Sequence, residues 1–435
     1  MTVMTFDEAI LYIKSLDVYG SVLGLENMRG LADYLDNPQD GLKFVHVTGT
    51  NGKGSTSAFI TSILKEAGYK VGTYNSPAVK SDTDQFRINM DIVHDDLYAE
   101  AVSIVKEASE LYISDTGRHP TRFEVETMVA FVMFYMEKCD IVVLETGLGG
   151  INDATNIINT AVLHVVTSIS MDHANVLGDS LIKIAENKSG IIKTSTPVVM
   201  LDRTKSTEGP PDYTEVIKVF SDRCKEMDAD LYLVDDTREN PLELTMKGAY
   251  QSENASIAIK AAEVLADMGY RLLESDIRKG LKNAEIPFRF EHIEIESSID
   301  IILDGAHNPD GAVQFAESLK LNYPDREYIY ITGIFKDKDY KEIARITGDK
   351  AIKIYTIENE KSVRALDKSV LAEVYRQYNN NVVIADSIRD ALEKAYSEAI
   401  VRLDVNGNHP VICCFGSLSW LNDAKEIVVE MVRRK

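Results

Sequence analysis

Strand-like apolar runs alternate with helical periods along almost the whole chain, and this rhythm narrows the fold more than any other feature. "LKFVHVTG", "YKVGTY", "CDIVVLETG", "AVLHVVTSI" and "TPVVML" form one series of buried-strand candidates. "IDIILDGA", "EYIYITGIF", "KAIKIYTI", "NVVIADS" and "PVICCFGS" form a second. Apolar runs separated by helical segments are the pattern of a mostly parallel, doubly wound sheet. Between the two series, Pro287 in "AEIPFRFEHIEIESS" interrupts the pattern. The sequence therefore predicts an α/β protein: a P-loop-type, mostly parallel sheet domain over residues 1–290, a linker over 291–298, and a smaller Rossmann-like α/β domain over 299–435. "RTKSTEGPPDYTE" is the predicted exposed loop of the first domain.

At 435 residues the chain can bury two or three cores, and its 45% hydrophobic and 27% charged content is that of a globular protein. A formal charge of −22 repels phosphate backbones and anionic lipid, so neither nucleic acid nor membrane is an expected partner. No run approaches the roughly 18 apolar residues of a membrane span. "MTVMTFDEAILYIKSL" carries acids inside its apolar period, so it predicts an amphipathic helix and not a signal peptide. Cys139, Cys224, Cys413 and Cys414 show no C-x-x-C pairing and suit buried thiols. A soluble, cytoplasmic protein is expected.

Residues 46–56, "HVTGTNGKGST", lie between a predicted strand and a predicted helix. Only Thr50 and Asn51 separate Gly49 from Gly52, and Gly54 divides Lys53 from Ser55, so the usual P-loop spacing is not kept. The physics is nevertheless that of an anion site: outward N–H groups, a helix dipole, and glycines that admit a phosphate. Lys53 would meet the β- and γ-phosphates of a nucleotide, and Ser55 or Thr56 could reach magnesium. Ligands of open α/β sheets gather at carboxyl ends of strands. Ser76, Glu145, and the pair Asp172 and His173 occupy such ends. A turn serine, a capping acid and a loop histidine are the plain alternatives, and the shared placement is what favours a site. Magnesium prefers oxygen, so Ser76 and Glu145 suit it, while His173 suits a second, softer position.

The stretch from "LGLENMRGLADYL" through "HVTGTNGKGSTSAFITSILKEAGYKVGTYNSP" resembles the opening of the folylpolyglutamate synthase/dihydrofolate synthase family, in the Mur ligase superfamily. The resemblance continues, in order, through "TRFEVETMVAF", "VVLETGLGGINDATNII", "SISMDHANVLGDSLIKIAENKSGIIK", "LDGAHNPDGA", "FKDKDY" and "CCFGSLSWL". It implies a Mur-ligase-type ATP-binding domain followed by a glutamate ligase domain. The implied enzyme is an ATP-dependent ligase that joins L-glutamate to a folate or dihydropteroate carboxylate through an acyl phosphate. Gly49, Thr50, Asn51, Gly52, Lys53, Gly54, Ser55 and Thr56 would hold ATP, with Asn254, Arg289 and Asp304. Ser55, Ser76, Glu145 and His173 would hold magnesium, in two ions. Lys53, Glu145, His173 and Lys188 would form the catalytic set, with Lys188 open to carbamylation on a helix begun by Asp179. Asp153, Arg87, His307 and Ser417 would contact the acceptor or glutamate. A monomer is implied.

Two departures from the family pattern stand out. Where members carry N-E-R-I near the pterin site, this chain has "QFRI", with Phe86 in place of the acid. Where members carry P-G-R, it has Pro287-Phe288-Arg289. The first keeps a second reading open: a Mur-type amide ligase for a different, non-folate carboxylate.

Overall fold

A computed structural model of the chain describes residues 3–20, 24–204, 213–235, 242–295, 299–360, 362–406 and 409–433. Residues 205–212 of the predicted loop (203–215) and the end of the predicted linker, 296–298, lie outside them, and 213–215 of that loop instead begin the helix Tyr213–Glu226. The chain divides into two compact units. One comprises Met1–Ser170, Ala174–Thr245 and Ser252–Glu285; the other comprises Met171–His173, Met246–Gln251 and Ile286–Lys435.

Among the described residues the first unit holds eight strands: β1 (Phe44–Thr48), β2 (Val71–Tyr74), β3 (Phe86–Ile88), β4 (Asp91–Ile92), β5 (Ile141–Glu145), β6 (Ala161–Val166), β7 (Val198–Leu201) and β8 (Leu231–Val234). Their order is β4-β3-β2-β5-β1-β6-β7-β8. All neighbours are parallel except at the β2–β3 and β3–β4 pairs. The sequence reading foresaw β1, β2, β5, β6 and β7. It did not name β8, nor β3 and β4, a short edge hairpin whose turn places Asn89 and Met90 at φ +52° and +73°. Strands β1, β2 and β5 are buried throughout, which is why they read as continuous apolar runs. The helix Lys53–Glu66 is buried over Gly54–Leu64 and not along one face only. It packs so closely on Glu274–Asn283 that a Cβ on Gly280 would lie 2.5 Å from Ile63 Cα. On the other face Phe44, Tyr74, Phe86 and Phe131 share a core with the helix Arg122–Met136.

The second unit holds β9 (Glu291–Ile295), β10 (Ile299–Asp304), β11 (Tyr328–Thr332), β12 (Lys353–Thr356), β13 (Val382–Ile384) and β14 (Val411–Phe415), in the order β13-β12-β11-β14-β10-β9. Residues 291–295, expected as linker, are instead the antiparallel edge strand β9, paired along β10. The alternating exposure of this edge strand hid it from a search for apolar runs. Phe315, Tyr330 and Phe415 form the aromatic centre of the core. Trp420 is fully buried and donates from Nε1 to the Gly333 carbonyl at 3.0 Å. Phe288 and Phe290 sit at φ +59° and +53°. That conformation suits the glycine of P-G-R, so Phe288 carries backbone strain that its full burial offsets.

Candidate functional site

The loop after β1 needs its glycines for space as well as for conformation. Gly49 has φ +149°, and a Cβ there would lie 1.9 Å from Thr167 Oγ1; Gly52 has φ +88°, with Asn254 Oδ1 at 2.3 Å from its would-be Cβ. The loop is stitched to the segment after β6. Thr50 N donates to the Ser168 carbonyl at 2.7 Å, Thr50 Oγ1 to the Ser170 carbonyl at 3.0 Å, and Thr167 Oγ1 to the Asn51 carbonyl at 2.7 Å. Gly52 caps the helix Lys53–Glu66, and Gly54, Ser55 and Thr56 are buried in its first turn. Asn254 Oδ1 lies 3.5 Å from Thr56 Oγ1, so Asn254 backs the loop.

Lys53 Nζ donates to the Thr50 carbonyl at 3.2 Å and lies 3.8 Å from Glu145 Oε1. Glu145 ends β5 beside Val47 of β1, so the acid and the loop sit on neighbouring strand ends. Its Oε2 accepts from Asn75 Nδ2 at 2.7 Å, and Asn75 precedes Ser76 at the end of β2, the strand on the other side of β5. The loop and helix start after β1 and the ends of β5 and β2 thus carry Ser55, Glu145 and Ser76, a hydroxyl–carboxylate–hydroxyl donor set that fits magnesium. Among the described residues no three His, Cys, Asp or Glu converge as a metal cage. Magnesium at phosphoryl-transfer sites instead completes its octahedron with phosphate and water.

Lys188 is buried, and its Nζ donates to the Gly49 carbonyl at 2.7 Å, tying its helix to the loop. That helix, Leu181–Ser189, is capped by Ser180, whose side chain accepts from Lys183 N at 3.3 Å. Asp179, the expected cap, pairs with Lys183 at 2.8 Å instead. Asp153 is buried and already occupied: Oδ2 accepts from Leu148 N at 2.7 Å, and Oδ1 from Thr155 N at 3.0 Å and Thr155 Oγ1 at 2.6 Å. Because Thr155 spends its proton on Asp153, its oxygen accepts from His46 Nε2 at 2.9 Å. Burial raises the Asp153 pKa against these bonds. Arg87 lies on the edge hairpin and donates to the Met90 carbonyl at 2.9 Å. Its neighbour Phe86 is fully buried and stacked on Tyr74 at 5.4 Å, so this departure from the family pattern packs the core. The acid it was set against has no place on that face.

In the second unit His173 belongs to a cluster around Asp172. Lys338 Nζ donates to Asp172 Oδ1 at 2.6 Å and lies 3.2 Å from His173 Nε2, while His173 takes φ +50°. Asn308 Nδ2 donates to Asp172 Oδ2 at 3.1 Å, and His307 Nε2 is 3.4 Å from the same oxygen. The His307 ring is oriented by Nδ1, which donates to the Gly305 carbonyl at 2.7 Å. Burial of Asp172 works to raise its pKa, but His307, Lys338 and His173 outweigh it and hold the carboxyl well below the ordinary range. Asp304, at the end of β10, accepts from Tyr250 Oη at 2.7 Å and from the N–H groups of Phe290 and Ala306 at 2.8 Å. It therefore anchors the strained segment that carries Arg289, and burial pushes its pKa up despite the Tyr250 bond and the Arg289 charge. Ser417 Oγ lies 2.9 Å from Ser419 Oγ, which accepts from Asn359 Nδ2 at 2.8 Å. Sequence reasoning missed Lys338, Tyr250, Asn359 and Ser419; Lys338 and Ser419 had a signal, in "FKDKDY" and "CCFGSLSWL".

Residues 47–262 match the Mur ligase middle domain, and residues 288–418 match the Mur ligase, glutamate ligase domain. The dihydrofolate synthase/folylpolyglutamate synthase of Bacillus subtilis is 32% identical over 361 residues, covering 78% of this chain and 82% of that protein. The chain belongs to the folylpolyglutamate synthase/dihydrofolate synthase family. The folylpolyglutamate synthase of Lacticaseibacillus casei is 33% identical over 79% of this chain and 83% of its own length. Among solved structures, Mycobacterium tuberculosis folylpolyglutamate synthase complexed with ADP matches with a TM-score of 0.87 and 26% identity, covering 97% of this chain and 98% of that one. E. coli FolC in complex with DHPP and ADP matches at 0.83 and 25%, over 99% of each chain. The family consists of ATP-dependent ligases that form amide bonds, and this chain is such a ligase.

Proposed function

We propose that the chain joins L-glutamate to a folate-type carboxylate at the expense of ATP, acting on dihydropteroate as well as on reduced folates. The observation that carries this reading is Lys53, held by the Thr50 carbonyl and facing Glu145 at the mouth of a glycine-built phosphate cradle. The acceptor carboxylate oxygen attacks the γ-phosphorus, the bond to ADP breaks, and an acyl phosphate forms. The glutamate amine then attacks the acyl carbon, inorganic phosphate leaves, and the nitrogen gives up a proton. Lys53 and the loop N–H groups would hold the triphosphate in line, and the gain comes from orientation and fixed charge. Ser55, Glu145 and Ser76 would hold magnesium, which when bound neutralises charge on the phosphoryl group. A carbamate on Lys188 would keep one N–H for the Gly49 carbonyl while adding a carboxylate beside the loop. His307 and Ser417, at the strand ends of the second unit, would receive glutamate. The reading extends to a monomeric, cytoplasmic enzyme with neither nucleic acid nor membrane as partner. A charge of −22 supports this, and among the described residues no helix is long and apolar enough to cross a membrane.

The test is product mass. With ATP, magnesium and glutamate, purified protein is expected to add one glutamate to dihydropteroate and to extend tetrahydrofolate and its diglutamate. Phosphate release without adduct on all three acceptors would overturn the folate assignment.

A further inference from the structure

We propose that Asn359 is a positioning residue: it sets the direction of the Ser417 hydroxyl and makes it an outward donor for a carboxylate of the amino-acid substrate. The inference rests on the reading that Ser417 touches that substrate. Asn359 follows β12 and Ser417 follows β14, two strands separated in the sheet by β11. Their approach is allowed by glycines at the end of β11 and β14. A Cβ on Gly333 would lie 2.8 Å from Ile357 Cγ1, and one on Gly416, at φ +119°, would lie 2.7 Å from the Gly333 carbonyl oxygen. The segments after β12 and β14 therefore close over β11, and Asn359 and Ser417 are both buried.

The proposed relay assigns these hydrogen bonds one polarity. The Asn359 amide nitrogen can only donate, so Ser419 Oγ, 2.8 Å away, accepts. In the relay Ser419 passes its one hydroxyl proton to Ser417 Oγ, which lies 2.9 Å from Ser419 Oγ. Ser417 Oγ also receives the Ser419 backbone N–H at 3.3 Å. With both lone pairs of Ser417 engaged in this way, its own proton is left for a partner outside the three side chains. An O–H aimed outward welcomes a carboxylate and gives nothing to an ammonium, so the chain of three side chains discriminates between the two ends of an amino acid.

Replacement of Asn359 by Asp inverts the polarity. A carboxylate only accepts, Ser419 must donate to it, Ser417 must donate to Ser419, and a lone pair then faces the substrate. Asn359→Leu removes the amide and leaves Ser419 able to point either way. Steady-state kinetics are expected to rank the KM for glutamate as Asn359→Asp above Asn359→Leu above wild type. The Asp variant should rise on the order of 10-fold or more, the scale of a hydrogen bond to a charged group. The KM for ATP should stay constant, and Trp420 fluorescence should report an intact second unit. A glutamate KM for Asn359→Asp at or below that of Asn359→Leu overturns the inference. Should the Asp variant not fold, Ser419→Ala, which removes the relaying hydroxyl, is expected to raise glutamate KM as Asn359→Leu does; unchanged KM in both overturns it equally. Ser417→Ala separates the two levels. If it leaves glutamate KM unchanged, the reading of Ser417 fails; if it raises KM while Asp does not exceed Leu, only the role of Asn359 fails.

Discussion

Asp172→Asn tests whether the cluster in the second unit is held by charge. Lys338 donates to this carboxylate at 2.6 Å, and the lysine side chain is only 6% exposed. Removing the charge leaves the ammonium buried beside His173 with an amide in place of its counter-ion. Breaking a buried pair from one side costs about 3–5 kcal/mol, whereas replacing both partners by neutral groups is close to neutral. Asn308 and His307 can still reach the amide, which places the expected loss near the lower end, about 3 kcal/mol. The assay is direct because the chain has one tryptophan, Trp420, and it is buried in the second unit. Urea unfolding followed by its fluorescence reads that unit alone, avoiding the failure of two-state analysis in a two-unit chain. Asp172→Asn with Lys338→Met is expected to recover most of the loss. The pH dependence has a definite sign. A carboxylate whose pKa is lowered on folding stabilises above its unfolded value, roughly 3.9, and the benefit fades as pH falls toward the folded value. The gap between wild type and Asp172→Asn should therefore be constant near neutrality and shrink in acid. A single-variant loss under about 1 kcal/mol, or a double variant worse than the single, would refute the reasoning, since surface pairs behave that way.

Phe288→Gly should be more stable than Phe288→Ala by about 1 kcal/mol, because both lose the buried ring and only glycine relieves φ +59°; the Trp420 urea midpoint decides. Lys53→Ala should lower ATP-dependent phosphate release on the order of 10²-fold or more with folding intact, the scale of a lost charge-stabilising contact; a near-normal rate would remove Lys53 from the phosphate site. Gly49→Ala, whose Cβ would strike Thr167 Oγ1 at 1.9 Å, should weaken ADP binding measured by calorimetry. Phe86→Glu should destabilise the first unit by several kcal/mol, since it buries an unpaired charge, and should not shift acceptor preference in any folded remnant; hydrogen exchange on Tyr74 and its neighbours is the readout.

What was legible before the structure, and what was not, follows from where each residue's partners lie in the chain. Ten strands could be read because parallel strands buried on both faces need unbroken apolar runs, and Phe44–Thr48 or Val411–Phe415 show them without reference to anything else. Edge strands have one wet side, so β9 with its Glu-His-Ile-Glu-Ile alternation passed for a linker. The phosphate loop was legible because its chemistry is local: glycines, a lysine and a helix start within eleven residues. Glu145 and Ser76 could be placed because strand ends share a rim. The cluster around Asp172 could not, since Lys338 lies 166 positions away and nothing near either residue requires the other. His173 shows the limit most clearly. Sequence placed it at the end of β6 and so with the phosphate rim, whereas Met171–His173 belong to the second compact unit. Phe86 errs in the opposite direction. Its motif lies near the pterin site in the family, so the change from an acid left a different acceptor open, and only its burial against Tyr74 reveals that position 86 faces the core. A motif names the residue types a site requires; which way each side chain points is decided by partners that the motif does not contain.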